Sequence, residues 1–379
     1  MAPSTDPGAA RTGILAALAG LDLMTTPRLR ALLAHHEPAE ALAVVAGRAR
    51  PAPLLTTLVG GSVGAAWRTS VARQDAGEWA RRCRLVGVRA VPLGDACFPA
   101  PLQLDPDPPA VLFVRGDLGA LDHRRVGVVG TRNATGAGRE VAMALGHDLA
   151  AAGVAVVSGL AKGIDGAAHR GVLRAGAAPP VGVVGNGLDR PYPRVHADLW
   201  TRVADDGVLL SEWPPGTAPE PFRFPLRNRI IAGLSEILVV VESRERGGSL
   251  ITALAAAERG VDVMAVPGSP HSRASIGTNQ LLRDGAGPVT DAADVLVALG
   301  LDHRRAGPAP FDPRPLPRGV EAEVLAFVRR EPCPLDRLVA SLPLPLAAAA
   351  MAAARLERTG WVRETEGWFE AIGPWEVDS

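Results

Sequence analysis

The stretch Val156-Val-Ser-Gly-Leu-Ala-Lys-Gly-Ile-Asp-Gly-Ala-Ala-His169 decides the fold. A β-branched run ends in a glycine turn, and a helix of small residues follows, the signature of one strand–turn–helix unit. The turn carries Lys162, the only lysine among 40 lysines and arginines in 379 residues. Lysine offers a compact, mobile ammonium where arginine offers a planar fork. Beside a glycine turn at a helix N-terminus, that point charge suits a phosphate.

The same texture extends on both sides. Short apolar runs at Val126–Val129, Val154–Val157, Val181–Val184, Val208–Leu210, Ile237–Val241 and Val263–Val266 alternate with Ala-rich amphipathic stretches. Continuously apolar strands separated by helices imply a mostly parallel, doubly wound sheet covered on both faces. The turns after such strands gather along one rim, where open α/β sheets bind ligands.

Four of the strands expected here end in turns suited to anions. Gly130-Thr131-Arg132 supplies backbone N–H groups, a hydroxyl and a bidentate fork before a helix near Gly138. Ser158-Gly159 to Gly163 supplies Lys162, and Asp165 is placed to cap the next helix. Gly185-Asn186-Gly187-Leu188-Asp189 follows the third strand. Arg246-Gly247-Gly248-Ser249 opens a helix after the fifth. Singly, such glycines do no more than permit tight turns; as a row they describe adjacent anion sites. The dinucleotide fingerprint is not met, because Val141 stands where the third glycine belongs, and no phosphate-loop Gly-Lys-Ser/Thr occurs.

Between the fourth and fifth strands, Phe222-Arg-Phe-Pro-Leu-Arg-Asn-Arg-Ile230 interleaves Arg223, Arg227, Asn228 and Arg229 with two phenylalanines. That mixture neutralises phosphates and offers faces for base stacking, unless the phenylalanines are core anchors and the arginines pair with Glu236 or Glu242. His169, Asp165 and Lys162 can be cast as base, orienter and electrophile. Yet His169 falls on an Ala-rich helix where a packed histidine is commoner, and no paired carboxylates, zinc-ligand spacing or nucleophile elbow accompanies it. No catalytic residue, cofactor or metal ligand is assigned.

Residues 1–80 read as a small helical domain of SAM or helix-hairpin-helix type, with Pro27, Pro38, Pro51 and Pro53 breaking the pattern. Residues 81–303 form the sheet domain, and 304–318 a stiff Pro-rich linker. Residues 319–379 read as a winged-helix-like domain of three helices and a hairpin turning near Gly367. That last domain holds six arginines against ten acidic residues. An acidic module is repelled by DNA, so it reads as a protein-contact or regulatory surface. Charge over the whole chain balances at 40 against 40, so polyanion binding would come from local placement. Three scattered cysteines suit a reducing cytoplasm, and no apolar run reaches a membrane span or makes a convincing signal peptide.

In order, these motifs resemble the DNA-processing protein A family (DprA, also called Smf). The likeness runs from Cys97-Phe98-Pro99 through Gly130-Thr-Arg132, Ser158–Asp165 and Phe224–Ser235. It continues through Gly247–Ala253, Val266-Pro-Gly268, Gly277-Thr-Asn279 and Asp284-Gly-Ala286, about half the chain. The resemblance implies an extended Rossmann-like domain that binds single-stranded DNA without sequence preference and forms a homodimer. It implies a recombination mediator that protects incoming strands and loads the recombinase RecA during natural transformation, with no catalytic residues. It further implies that Arg132 and Lys162 hold backbone phosphates, with Arg227 and Arg229 lining the same basic pocket. With the residues above, the DNA-binding set is Gly130, Thr131, Arg132, Gly159, Lys162, Gly163, Arg223, Arg227, Asn228, Arg229, Gly248 and Ser249. The family's core is distantly similar to nucleotide-hydrolysing enzymes with a Pro-Gly-Gly-x-Gly-Thr-x-x-Glu loop. Pro267-Gly268-Ser269-Pro270 lacks that carboxylate. A nucleotide-binding enzyme or sensor using the same rim is the alternative, and a pure interaction scaffold is a third reading.

Overall fold

The computed structural model describes residues 6–301, 314–330, 332–365 and 367–372. Six helices come first: α1 (Pro7–Ala19), α2 (Thr26–His35), α3 (Pro38–Val45), α4 (Thr56–Gly60), α5 (Ser62–Val71) and α6 (Ala76–Leu85). Pro27 and Pro38 start helices rather than break them, because a first-turn N–H has no intrahelical partner to lose. Asp6 and Asp75 cap α1 and α6 by accepting the N–H of Gly8 and Gly77.

Then come β1 (Val88–Pro92), α7 (Ala100–Gln103) and β2 (Val111–Gly116), followed by strict alternation: β3 (Arg125–Val129), α8 (Gly136–Ala151), β4 (Ala155–Ser158), α9 (Ile164–Ala175), β5 (Pro180–Val183), α10 (Ala197–Asp206), β6 (Val208–Ser211), α11 (Arg223–Leu234), β7 (Ile237–Val240), α12 (Gly248–Ala257), β8 (Asp262–Ala265), α13 (Ile276–Arg283), β9 (Gly287–Pro288) and α14 (Ala292–Ala298). The six strands expected from the apolar runs all form, within a residue of their expected bounds. All four residues of β4, β5, β6 and β7 are buried, as central strands covered on both faces require.

The nine strands run in the order β1-β2-β6-β5-β4-β3-β7-β8-β9. Pairing is parallel from β6 to β9 and antiparallel where β1 and β2 extend the edge. The outermost strand is not left open at its centre: Thr12 Oγ1 accepts the Ala90 N–H at 3.2 Å. From β3 the chain winds outward through β4, β5 and β6, then returns to lay β7 on the other side of β3. That reversal opens a crevice at the carboxyl ends of β3 and β7.

One face of the sheet packs Val126, Val128 and Val156 against Leu145, Leu149 and Val172 of α8 and α9. The other packs Val157, Leu210 and Val240 against Ile230, Ile231 and Ala253 of α11 and α12. A third cluster runs from Leu15, Leu32 and Trp67 of the N-terminal helices through Val88 and Phe113 to Trp200 of α10. The helical region therefore shares a core with the sheet.

The expected linker falls largely on residues 304–313, outside those described. Beyond it, α15 (Val320–Val328), β10 (Cys333–Pro334), α16 (Leu335–Ser341), α17 (Leu346–Arg358), β11 (Val362–Thr365) and β12 (Trp368–Ala371) follow in winged-helix order. Their sheet order is β10-β12-β11, closed around Trp361, Val324, Leu338 and Leu356.

Helices α8 and α9 touch at glycine. A Cβ at Gly171 would stand 2.0 Å from the Met143 carbonyl oxygen, and one at Gly146 would stand 2.2 Å from that of Ala168. Backbone cannot yield as a flexible side chain would. Gly171→Val should therefore cost about 1–3 kcal/mol by overpacking, read as a lower denaturant midpoint at unchanged slope.

Candidate nucleic-acid interface

The turn after β3 is held from below. Thr131 N–H donates to the Glu242 carbonyl at 2.8 Å, and Asn133 N–H to Thr131 Oγ1 at 3.3 Å. A Cβ at Gly130 would stand 2.4 Å from Ile164 Cγ1, so only glycine passes there. Arg132 leaves this turn exposed, its guanidinium 4.7 Å above the Phe224 ring. Phe224 stacks in turn on Tyr192 at 5.6 Å between centroids.

The turn after β4 abuts the first. Gly163 has φ +77°, and a Cβ on it would stand 2.3 Å from the Thr131 carbonyl oxygen and 2.8 Å from that of Arg132. Lys162, exposed in this turn, makes no hydrogen bond or ion pair with another described residue. The two cations singled out from the sequence thus stand on touching turns at one edge of the sheet.

Underneath lies a buried pair of opposite charge. Asp165, at the start of α9, accepts the Gly159 N–H at 3.1 Å. Burial pushes its carboxyl up from the ordinary range, while Arg227 and Arg132 pull it down. Burial draws Arg227 down to about 10, with Asp165 opposing. Arg227 donates to the Val183 carbonyl and to Asn228 Oδ1, the latter at 3.2 Å. A Cβ at Gly159 would collide with its guanidinium at 2.2 Å, so that glycine clears space for an arginine of the protein itself.

These groups surround a pocket of about 480 Å³ at the switch point. It is lined by Gly130, Thr131, Arg132, Arg227, Asn228, Gly248 and Ser249 from the expected set. Arg244, Arg246, Tyr192 and Phe224 line it as well. Four arginines and one buried aspartate therefore share its wall. Of the expected residues off the pocket wall, Gly159 underlies Arg227 and Lys162 with Gly163 forms the adjoining turn.

Two arginines of the expected set, Arg223 and Arg229, lie off this pocket. Arg229 pairs with Glu212 at 2.6 Å and Asp107 at 2.9 Å, and is nearly buried. Arg30 of α2 also binds Asp107, and Thr26 reaches Glu212 at 3.3 Å, so Arg229 ties α11 to the N-terminal helices. Arg223 donates to the Ala218 carbonyl at 2.5 Å and pairs with Glu220. Helical geometry explains Arg229: on α11, residues 227 and 229 lie about 200° apart around the axis and cannot face one pocket. Arg223 lies on the same face as Arg227, four residues back, and is held by Ala218 and Glu220 instead.

Arg244 and Tyr192 escaped the sequence reading. Arg244 sits two residues before the quoted Arg246, in the turn directly after β7. Tyr192 is the chain's single tyrosine, in Asp189-Arg-Pro-Tyr-Pro193, but nothing in its spacing places it beside Phe224. From the third turn, Asn186 and Asp189 turn inward, Asn186 to the Gly187 and Arg190 carbonyls and Asp189 to Arg82 and Gly216.

The α8 N-terminus is filled from within. Glu242, nearly buried, accepts the Thr135 N–H at 3.0 Å and the Thr135 hydroxyl at 2.5 Å. Thr135 Oγ1 accepts the Gly138 N–H at 3.0 Å.

The fold and pocket define an extended Rossmann-like protein with a cationic, aromatic-lined rim at its switch point. The family profile described as DNA recombination-mediator protein A matches residues 89–300. The DNA processing protein DprA of Bacillus subtilis is 42% identical over 214 residues, 56% of this chain and 72% of that protein. Protein Smf of Escherichia coli is 35% identical over 285 residues, 74% of this chain and 76% of that protein. The X-ray structure of DprA from Streptococcus pneumoniae superposes with TM-score 0.64 at 33% identity, covering 76% of this chain and 97% of that one. A Helicobacter pylori DNA processing protein A structure, which concerns that protein's single-stranded DNA binding mode, gives TM-score 0.51 at 26% identity over 56% of this chain and 95% of its own. The chain belongs to the DNA recombination-mediator protein A family (DprA/Smf).

His169 is fully buried, which removes it from any contact with a substrate. Its ring comes up to the Ser158 backbone without closing a well-formed hydrogen bond, and burial lowers it from 6.5 to about 4. Between pH 6.5 and 4 the unfolded chain takes a proton that the folded chain refuses, so stability falls as pH falls through that window. The full loss is roughly 3 kcal/mol below pH 4, and there is none above 6.5. Asp165, with its raised carboxyl, acts in the opposite sense, so the variant comparison is what isolates the histidine. His169→Met should match wild type at pH 7.5 within about 1 kcal/mol and exceed it at pH 5 in urea unfolding. Parallel pH–stability curves would refute this reading.

Proposed function

We propose that the protein binds single-stranded DNA without sequence preference and acts as a recombination mediator. The observation that carries this is the pocket itself: Arg132, Arg227, Arg244 and Arg246 beside a Tyr192–Phe224 stack, with Lys162 on the adjoining turn. A phosphodiester chain needs distributed cations, and its bases need aromatic faces that accept any base. In this reading Arg132, Lys162, Arg244 and Arg246 meet phosphates, Gly130, Thr131, Gly248 and Ser249 shape the wall, and Arg227 and Asn228 form the charged floor.

The reading is of binding rather than catalysis. The titratable groups nearest the pocket are spent internally, Asp165 on Arg227 and His169 on the core. Family membership supports a homodimer, RecA as a partner, and a role in transformation carried out in the cytoplasm. The winged-helix region, with its acidic balance and with Leu346, Met351 and Trp368 exposed, supports contact with protein rather than with a DNA groove.

Two measurements test the site. In fluorescence anisotropy with oligo-dT, Arg132→Ala with Lys162→Ala should weaken binding evenly across sequences without lowering the melting temperature. The double variant should also flatten the slope of log K against log salt by roughly 1.4, about 0.7 for each lost phosphate contact. An unchanged slope in a folded double variant would remove the case for the rim. Phe224→Ala should cost about 1–3 kcal/mol of binding while leaving the slope nearly intact, since stacking releases no counterions.

A further inference from the structure

We propose that Glu242 makes the rim selective for polynucleotide over free nucleotides; this rests on the single-stranded DNA reading above. In a dinucleotide-binding Rossmann fold, the pyrophosphate sits at the N-terminus of the helix after the first strand of the switch, where first-turn N–H groups stand free. Here that helix is α8, and a carboxylate stands against its first turn. The Glu242 carboxylate takes the Thr135 N–H and hydroxyl, and the Thr135 hydroxyl takes the Gly138 N–H. A Cβ at Gly138 would stand 2.3 Å from the carboxyl carbon. This glycine gives close approach to an anion, as the fingerprint glycines do, and the anion is the protein's own side chain.

Charge and volume work together. A free nucleotide docks through a terminal phosphate carrying close to two negative charges and needs converging backbone donors. At α8 it would meet a carboxylate beside the first turn, with the Gly138 N–H already given to Thr135. Internal phosphodiesters carry one charge each and are met in the open pocket by arginine side chains, and by Lys162 on the adjoining turn, beyond the plug. Glu242 also orders the rim. Its carbonyl holds Thr131 N–H while its carboxylate holds Thr135, so both ends of the segment that displays Arg132 are tied to one residue. Glu242 is thus a positioning residue that also decides specificity.

The test compares full-length wild type, Glu242→Ala and Glu242→Gln, with ADP by isothermal titration calorimetry and with oligo-dT by anisotropy. Glu242→Ala should gain ADP affinity by on the order of tenfold or more, having lost both charge and bulk. Glu242→Gln, which keeps the volume and an acceptor for Thr135, should gain less ADP affinity. It should also retain more oligo-dT binding than the alanine variant, the mark of a positioning role. If Glu242→Ala does not fold, the glutamine variant decides alone. Folded variants that take ADP no better than wild type, while wild type binds oligo-dT, overturn the role of Glu242. Wild type that fails to bind oligo-dT sinks the polynucleotide reading instead and leaves the ADP comparison standing.

Discussion

Everything at the rim depends on how closely the turns after β3 and β4 meet. Gly163 lies against the Thr131 and Arg132 carbonyls at a separation that no side chain could share, in a left-handed conformation that glycine adopts without strain. That contact sets two like charges, Arg132 and Lys162, on neighbouring turns although repulsion would part them. A cationic rim of this kind is costly to the free protein and is relieved by an anion. The stiffness underneath comes from the same place: α8 and α9 cross at Gly146 and Gly171, which allows their turns no independent drift.

The electrostatics are layered. Deepest is Asp165 against Arg227, a buried pair whose desolvation is only partly offset by mutual attraction and by backbone hydrogen bonds. Above it, Arg132 rests on an aromatic face with its charge still open to solvent. To the side, the Glu242 carboxylate stands at the N-terminus of α8, accepting from Thr135. The pocket's shape therefore follows from which donors are already satisfied as much as from which cations are present.

Much of this was legible in the chain. Strand positions could be read because central parallel strands bury both faces, leaving unbroken β-branched runs between Ala-rich helices. The strands β1, β2 and β9 were not read: Arg89 interrupts the apolar run of β1, β9 has only two residues, and Val111–Val114 of β2, though buried and apolar, stands apart from the strand–helix alternation. The winged-helix order at the end of the chain followed from the same periodicity. The sharing of a core between the N-terminal helices and α10 did not, because local pattern says which face is apolar and nothing about what covers it.

Within the site, the sequence by itself determined the chemistry: the lone lysine, the Gly130-Thr-Arg132 turn, and arginines beside phenylalanine before β7. Those are properties of local turns, and a strand–turn–helix unit encodes its own turn. Only the tertiary structure decided which cations share a pocket. Arg227 and Arg229 stand two residues apart, yet one helix turns the first toward Asp165 and the second toward Glu212 and Asp107. Arg244 and Tyr192 join from segments more than fifty residues apart because the sheet reverses direction at β3. Sequence neighbours are parted and distant residues united for one reason: helical rotation and strand order are set by packing across the whole sheet, and packing is not a local quantity.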